Sequence, residues 1–244
     1  MDERIESLRR ICEEFDVVLM DSSTICGFED RTDIGLQDRR LLRGVLTPRS
    51  ARMAERVHGR EHGKYVQGLI NLVHENHNIG ILGYAIDGMD SGISALKKPT
   101  NRPCYRGSII GLRNSLMGRV IQFSDEDGPV LDRLKGRLEE IFNEPTSENH
   151  MSFAAASCYM ATCRGRTAAV CNDKSLLRTL YHLRERPDEI TAILQDPLKF
   201  GLVPYTSLHD SVYRPFRIDS TAPASPAFAG KESPPARPGV LGPA

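Results

Sequence analysis

Two aspartates stand where a parallel β-sheet would place reactive groups. Asp21 closes the apolar run Asp16-Val17-Val18-Leu19-Met20. Asp173 follows a second run, Thr167-Ala168-Ala169-Val170-Cys171, with Asn172 between. In open parallel sheets functional groups gather beyond the carboxyl ends of the strands. Two adjacent strands would set these carboxylates side by side, and like charges at short range repel. A divalent cation relieves that repulsion. Magnesium in particular takes one or two protein carboxylates and fills its other positions with water and substrate phosphate. Each aspartate also has a plainer role open to it, capping the helix that follows.

A second constellation is His58-Gly59-Arg60-Glu61-His62, which matches H-x-x-E-H. On a helix the two histidines and the glutamate would share a face, as an inverted zinc peptidase requires. Gly59 and Gly63 weaken that helix, and Glu139 or Glu140 would have to serve as the third ligand.

The chain of 244 residues has 32 basic and 32 acidic side chains, so its net charge is zero. Positive charge is nevertheless concentrated. Between Ser91 and Ser124 there is no acid, while Lys97, Lys98, Arg102, Arg106, Arg113 and Arg119 are all basic. A second basic stretch runs Arg39, Arg40, Arg43, Arg49, Arg52, Arg56, Arg60. Basic stretches beside isolated acids suit a protein that attracts phosphate and holds a cation, although solvated helix faces read the same way. Forty per cent apolar residues are enough for a core. No apolar run is long enough to span a bilayer. The charged MDERIESLRR start has no secretory apolar stretch, which predicts a cytoplasmic protein. The six cysteines form no Cys-x-x-Cys pair and read as reduced, mostly buried thiols.

The elements that must position these residues follow from periodicity. Ile5, Leu8, Ile11, Cys12 and Phe15 recur at helical spacing and predict a helix over 2–15. A strand follows over 16–20. Thr47-Pro48 starts a helix running through Glu55, and a further helix covers 64–74. IGILGYAI, 79–86, reads as a buried strand. The glycine-rich, basic stretch 87–122 has no clear assignment. The acids Asp125-Glu126-Asp127 open a helix to Phe142, where they favour the macrodipole. A small-residue helix covers 147–163, and its alanines predict close packing on a sheet. The strand 167–171 leads to helices over 174–184 and 187–195. Leu202-Val203-Pro204-Tyr205 reads as an edge strand because of its proline. The six prolines after Asp219 predict a disordered Pro/Ala-rich tail over 219–244. Strands alternating with helices predict an α/β fold with a central, mainly parallel sheet.

Three blocks resemble the PIN-domain family. DVVLMDSSTICG resembles its opening strand and turn. RTAAVCNDKSLLRTL resembles its late strand and turn, and SENHMSFAAASCYMA the helix between those two. The resemblance implies a three-layer α/β/α domain over 1–210, with about five strands and a basic, glycine-rich insertion around 87–122. It implies a ribonuclease that hydrolyses RNA phosphodiester bonds with carboxylate-bound Mg²⁺ or Mn²⁺. By position Asp21 is the first metal-binding, catalytic acid and Asp173 the last. Glu55 in TPRSARMAERV is the second, with Glu61 as its fallback. The third acidic position falls on His150, a departure from the family pattern. Cys171 stands where threonine is common. Ser22 and Asn172 would orient a ligand or water, and His150 would suit Mn²⁺ or contact phosphate when protonated. Lys97, Lys98, Arg102 and Arg106 would steer the RNA backbone. RNA, a second copy of the chain and a protein partner are the partners this implies, with no membrane. The His150 departure leaves a second function open, a PIN-like module that binds RNA or protein without hydrolysis. The zinc peptidase at 58–62 remains a third.

Overall fold

The computed structural model describes residues 2–25, 64–95, 103–142, 147–194, 201–207 and 212–218. It is a mixed α/β fold around a five-stranded sheet. In chain order the described elements are α1 (Glu3–Glu14), β1 (Val17–Met20), α2 (Ser22–Ile25), α3 (64–75), β2 (Ile79–Gly80), α4 (Gly83–Ala95), α5 (Pro103–Met117), α6 (Gly128–Phe142), α7 (Glu148–Cys163), β3 (Thr167–Val170), α8 (Lys174–Glu185), α9 (Asp188–Leu194), β4 (Leu202–Thr206) and β5 (Arg214–Pro215). The sheet order is β2-β1-β3-β4-β5. All pairings are parallel except β4 with β5. From β1 the chain first adds β2 on one side and later β3 on the other. The direction of winding therefore reverses between β1 and β3.

Side chains alternate across the strands because the strand period is two. Val18 and Met20 of β1, with Ala168 and Val170 of β3, join one core with Leu8 of α1, Leu69 of α3, Met89 of α4 and Leu112 of α5. Leu19, Ala169 and Cys171 face the other way, into a core with Leu138 of α6, Phe153 and Ala154 of α7 and Leu180 of α8. Helices thus cover both faces of the central strands, which is why the strands read as continuous apolar runs. The expected close packing of the small-residue helix is present. α7 lies against β1, β3 and β4, with Ala154, Ala155, Ala156 and Ala161 buried. No described helix is long and apolar enough to cross a membrane.

Several elements differ from the expectation. The strand expected over 79–86 is short: β2 is followed by an isolated parallel bridge from Ile81 to Val120, and a helix begins at Gly83. The apolar run misleads because Ile81, Leu82, Ala85 and Ile86 are buried either way, and a short apolar run does not distinguish strand from helix. The unassigned stretch 87–122 holds the rest of α4 and all of α5. The helix expected from Asp125 starts at Gly128, because Asp127 accepts from the Ser124 backbone N–H and hydroxyl, both at 2.8 Å, and closes a turn. β4 is not an edge strand, since β5 pairs outside it. Pro204 is tolerated there because the Gly201 and Tyr205 carbonyls accept from β3, whereas the Pro204 carbonyl accepts from Phe216 N–H. Residues on a strand alternate in pairing direction, so the missing proline donor faces the short β5 side. The helix expected at 47–55 and the tail over 219–244 lie outside the described residues.

At the amino ends of β1 and β3 the chain turns through Gly165, whose φ of +110° suits glycine. A Cβ there would meet Asp16 Oδ2 at 2.5 Å, and that oxygen is held by the Arg166 N–H at 2.8 Å. Gly165→Ala is expected to lower unfolding stability by about 1–3 kcal/mol, read from urea denaturation.

Candidate functional site

The register of β1 on β3 assembles the site. Met20 pairs with Val170, so the next residues, Asp21 and Cys171, emerge together at the carboxyl rim. The Val170 carbonyl accepts from Asp21 N–H at 3.0 Å and from the Thr24 hydroxyl at 2.9 Å, which fixes the turn after β1 on the end of β3. This rim lies where the winding reverses, and such switch points form the crevice that open α/β sheets use for ligands.

Asp21 is only 3% exposed, yet its carboxylate is well supplied with donors. Oδ1 accepts from the Tyr84 hydroxyl at 2.7 Å. Oδ2 accepts from the Ser23 backbone N–H at 3.0 Å and the Ser23 hydroxyl at 2.7 Å. The Ser23 oxygen accepts in turn from Asn172 N–H at 2.9 Å, joining the two strand ends through one hydroxyl. Asp173 caps α8, its Oδ1 accepting from Leu176 N–H at 2.9 Å. Its Oδ2 faces His150 Nε2 at 3.7 Å, beyond hydrogen-bond length but within reach of charge attraction when the ring is protonated. Both acids act on the buried Cys171 thiol. Burial first, then Asp21, then Asp173, push that thiol well above its ordinary value, so both carboxylates lie within electrostatic reach of one sulfur. Burial and Asp21 also raise the Tyr84 phenol, which keeps its proton and remains a donor.

Asp21 follows β1, and Asn172 and Asp173 follow β3 beside it, with His150 of α7 facing Asp173. The side chain of Asn172 has a different task from the expected one. Its Oδ1 accepts from Ser207 N–H at 3.0 Å and the Thr206 hydroxyl at 3.1 Å, and its Nδ2 donates to Ser207 Oγ at 3.2 Å. The amide therefore fastens β3 to β4, and only its backbone N–H reaches the Asp21 side. Ser22 opens α2, but the hydroxyl on Asp21 belongs to Ser23. A carboxylate accepting from the N–H two residues on is an Asx-turn, so Asp-Ser-Ser did carry that signal. Tyr84 carried none, because its run read as a strand.

Other expected site residues lie elsewhere. Glu55, Glu61 and the whole of 58–62, as well as Lys97, Lys98 and Arg102, lie outside the described residues, as does the side chain of Arg106. Two further basic residues of that stretch are engaged in the fold. Arg113 forks onto Asp90 at 2.9 and 2.8 Å, and Arg119 donates to the Val73 carbonyl at 2.7 Å.

Asp21 and Asp173 suit a hard divalent cation in type and number, because Mg²⁺ commonly takes one or two carboxylates from a protein. A carboxylate has about four acceptor sites, of which Asp21 uses three for hydrogen bonds. Among the described residues no group of three or more His, Cys, Asp or Glu converges to hold a metal ion. Softer metals that need three or four protein ligands are not served by the described set.

No protein-family model, curated protein or solved structure matches the chain.

Two outcomes follow from this geometry. Ser23→Ala removes a donor to Asp21 and an acceptor for Asn172, and is expected to cost about 1–3 kcal/mol in urea denaturation. The neutral Cys171 thiol contributes stability that is fully present below the ordinary thiol value of 9.0. That contribution is lost as pH rises above it, because the unfolded chain releases the proton while the folded one retains it. The denaturation midpoint should fall between pH 8 and pH 10, and fall less in Cys171→Ala.

Proposed function

We propose that the chain is a PIN-like three-layer α/β/α ribonuclease that hydrolyses RNA phosphodiester bonds at the Asp21–Asp173 rim with Mg²⁺ or Mn²⁺. The observation that supports this reading is that Asp21 and Asp173 follow adjacent parallel strands at the switch point, with Cys171 within electrostatic reach of both. RNA as the substrate, and a second copy or another protein as partner, come from the family resemblance.

In this reading Asp21 and Asp173 would hold the ion, and Glu55 or Glu61 would supply a further oxygen. When bound, the ion supplies Lewis acidity toward a phosphoryl oxygen and a water of lowered pKa. The protein does the positioning. Ser23 keeps Asp21 in one orientation by holding Oδ2. Asp173 is fixed because its other oxygen caps α8. A carboxylate acting through a water would serve as general base. His150, protonated, would meet a phosphate oxygen and offset the charge gathered at Asp173. Lys97, Lys98, Arg102 and Arg106 would steer the backbone of the nucleic acid toward the rim.

A second reading, a PIN-like module that binds RNA without cutting it, is favoured by one observation. His150 occupies the position facing Asp173 where the family pattern has an acid, and no third carboxylate joins the pair among the described residues.

The deciding assay incubates purified protein with single-stranded and structured RNAs, with and without Mn²⁺. Cleavage by the wild type should depend on Mn²⁺ and fall by more than about a hundredfold in Asp173→Asn. Asparagine caps helices about as well as aspartate, so this variant should keep its stability. Cleavage that persists in Asp173→Asn sinks the nuclease reading. RNA binding without cleavage by the wild type supports the module.

A further inference from the structure

α4 sends a hydrogen bond to the first acid through Tyr84. β2 is two residues long, its continuation bridges Val120 through Ile81, and α4 begins at Gly83. Tyr84 is thereby delivered in the first turn of α4, just past the end of the strand beside β1. Its ring packs against both cores, on the two sides of the sheet. Such a ring has little freedom to move. Its hydroxyl ends 2.7 Å from Asp21 Oδ1, and it lies close enough to Cys171 to feel that thiol. Three neighbouring strand ends, β2, β1 and β3, are thus linked through Tyr84, Asp21 and, by way of Ser23, the Asn172 N–H.

We infer that Tyr84 is a positioning residue for cation binding, acting through Asp21. Ser23 alone would hold one oxygen and leave the carboxylate free to swing about it. Adding Tyr84 on the other oxygen fixes the plane of the group and so the direction of its remaining acceptor site. Groups that orient a ligand in this way commonly change metal affinity by tenfold or more when removed. This role rests on the cation site proposed above. A tyrosine that merely satisfied a buried acid would affect folding alone, and that difference is measurable.

The test follows the melting temperature of the full chain during Mn²⁺ titration, for wild type, Asp21→Asn and Tyr84→Phe, with RNA cleavage measured across the same Mn²⁺ range. The Asp21→Asn variant should lose the Mn²⁺-induced shift. Tyr84→Phe should melt below wild type in EDTA, because a buried acceptor loses its donor, and should also need about tenfold more Mn²⁺ for half of its shift. Its cleavage should be depressed at low Mn²⁺ and recover at saturation, which a general structural defect would not produce. Should Tyr84→Phe fail to fold, Tyr84→Met is read in its place, since its flexible side chain fills apolar space without a donor. If wild type and Asp21→Asn behave as stated while the Tyr84 variant titrates like wild type, the positioning role is overturned and the cation site stands. If wild type shows neither shift nor cleavage, the cation site falls and this role with it.

Discussion

The parallel pairing of β1 with β3 is the constraint on which the site depends. Four consecutive register pairs, Val17 with Thr167 through Met20 with Val170, carry the two chain segments in step to the same rim. A slip of one residue would turn Asp21 into one of the apolar cores and bring Met20 to its place, because the side-chain period is two. Several features hold the register at once. Val18 and Met20 fill one core while Leu19 fills the other. At the amino end Asp16 holds Arg166 N–H. At the carboxyl end Thr24 and Asp21 both bond to the Val170 carbonyl.

Beyond the register, the rim is held by hydroxyl groups. Ser23 links Asp21 to Asn172, and Asn172 links on to Ser207 and Thr206 of the next strand end. Behind them Tyr65 donates to the Thr24 carbonyl at 2.7 Å, and Tyr213 lies at 3.4 Å from the Tyr65 hydroxyl. A buried network of this kind stabilises only if its members are satisfied, and these members are held by one another. The residues following β4 are therefore part of the rim's support, since Tyr213 N–H also donates to Ser7 of α1 at 2.9 Å. Hydrogen bonds tie the termini of β1, β3, β4 and β5 together at this end of the sheet, and among the described residues no lysine or arginine contacts Asp21.

Several helices and the central strands β1 and β3 were legible in the sequence because their signals were local, whereas α4 and α5 were not. α1, α7 and α8 are read from apolar spacing and caps, and Asp173 does cap α8. The position of the two aspartates was legible too, because a strand ending in an acid carries its own meaning in a parallel sheet. What was not legible depends on pairing. Pro204 suggested an edge, and only the presence of β5 and the direction of the missing donor explain its place inside. Tyr84 was hidden because an apolar run around a helix start resembles a buried strand. The side chain of Asn172 looked available for chemistry, and only the position of Ser207 shows that it is engaged.

The electrostatic character of Asp21 gives the rim its direction. A buried carboxylate is costly unless compensated, and proteins usually compensate it with a cationic side chain. Asp21 instead accepts from one tyrosine, one serine hydroxyl and one backbone N–H, and no basic side chain pairs with it among the described residues. Neutral dipoles lower the cost of burial without cancelling negative charge. Burial, and after it Asp21 and Asp173, push the nearby Cys171 thiol well above its ordinary value. An arginine at the same place would stabilise the acid and close the rim to a metal ion. Hydroxyl donors leave the charge of the acid uncancelled, which is what the proposed cation site requires.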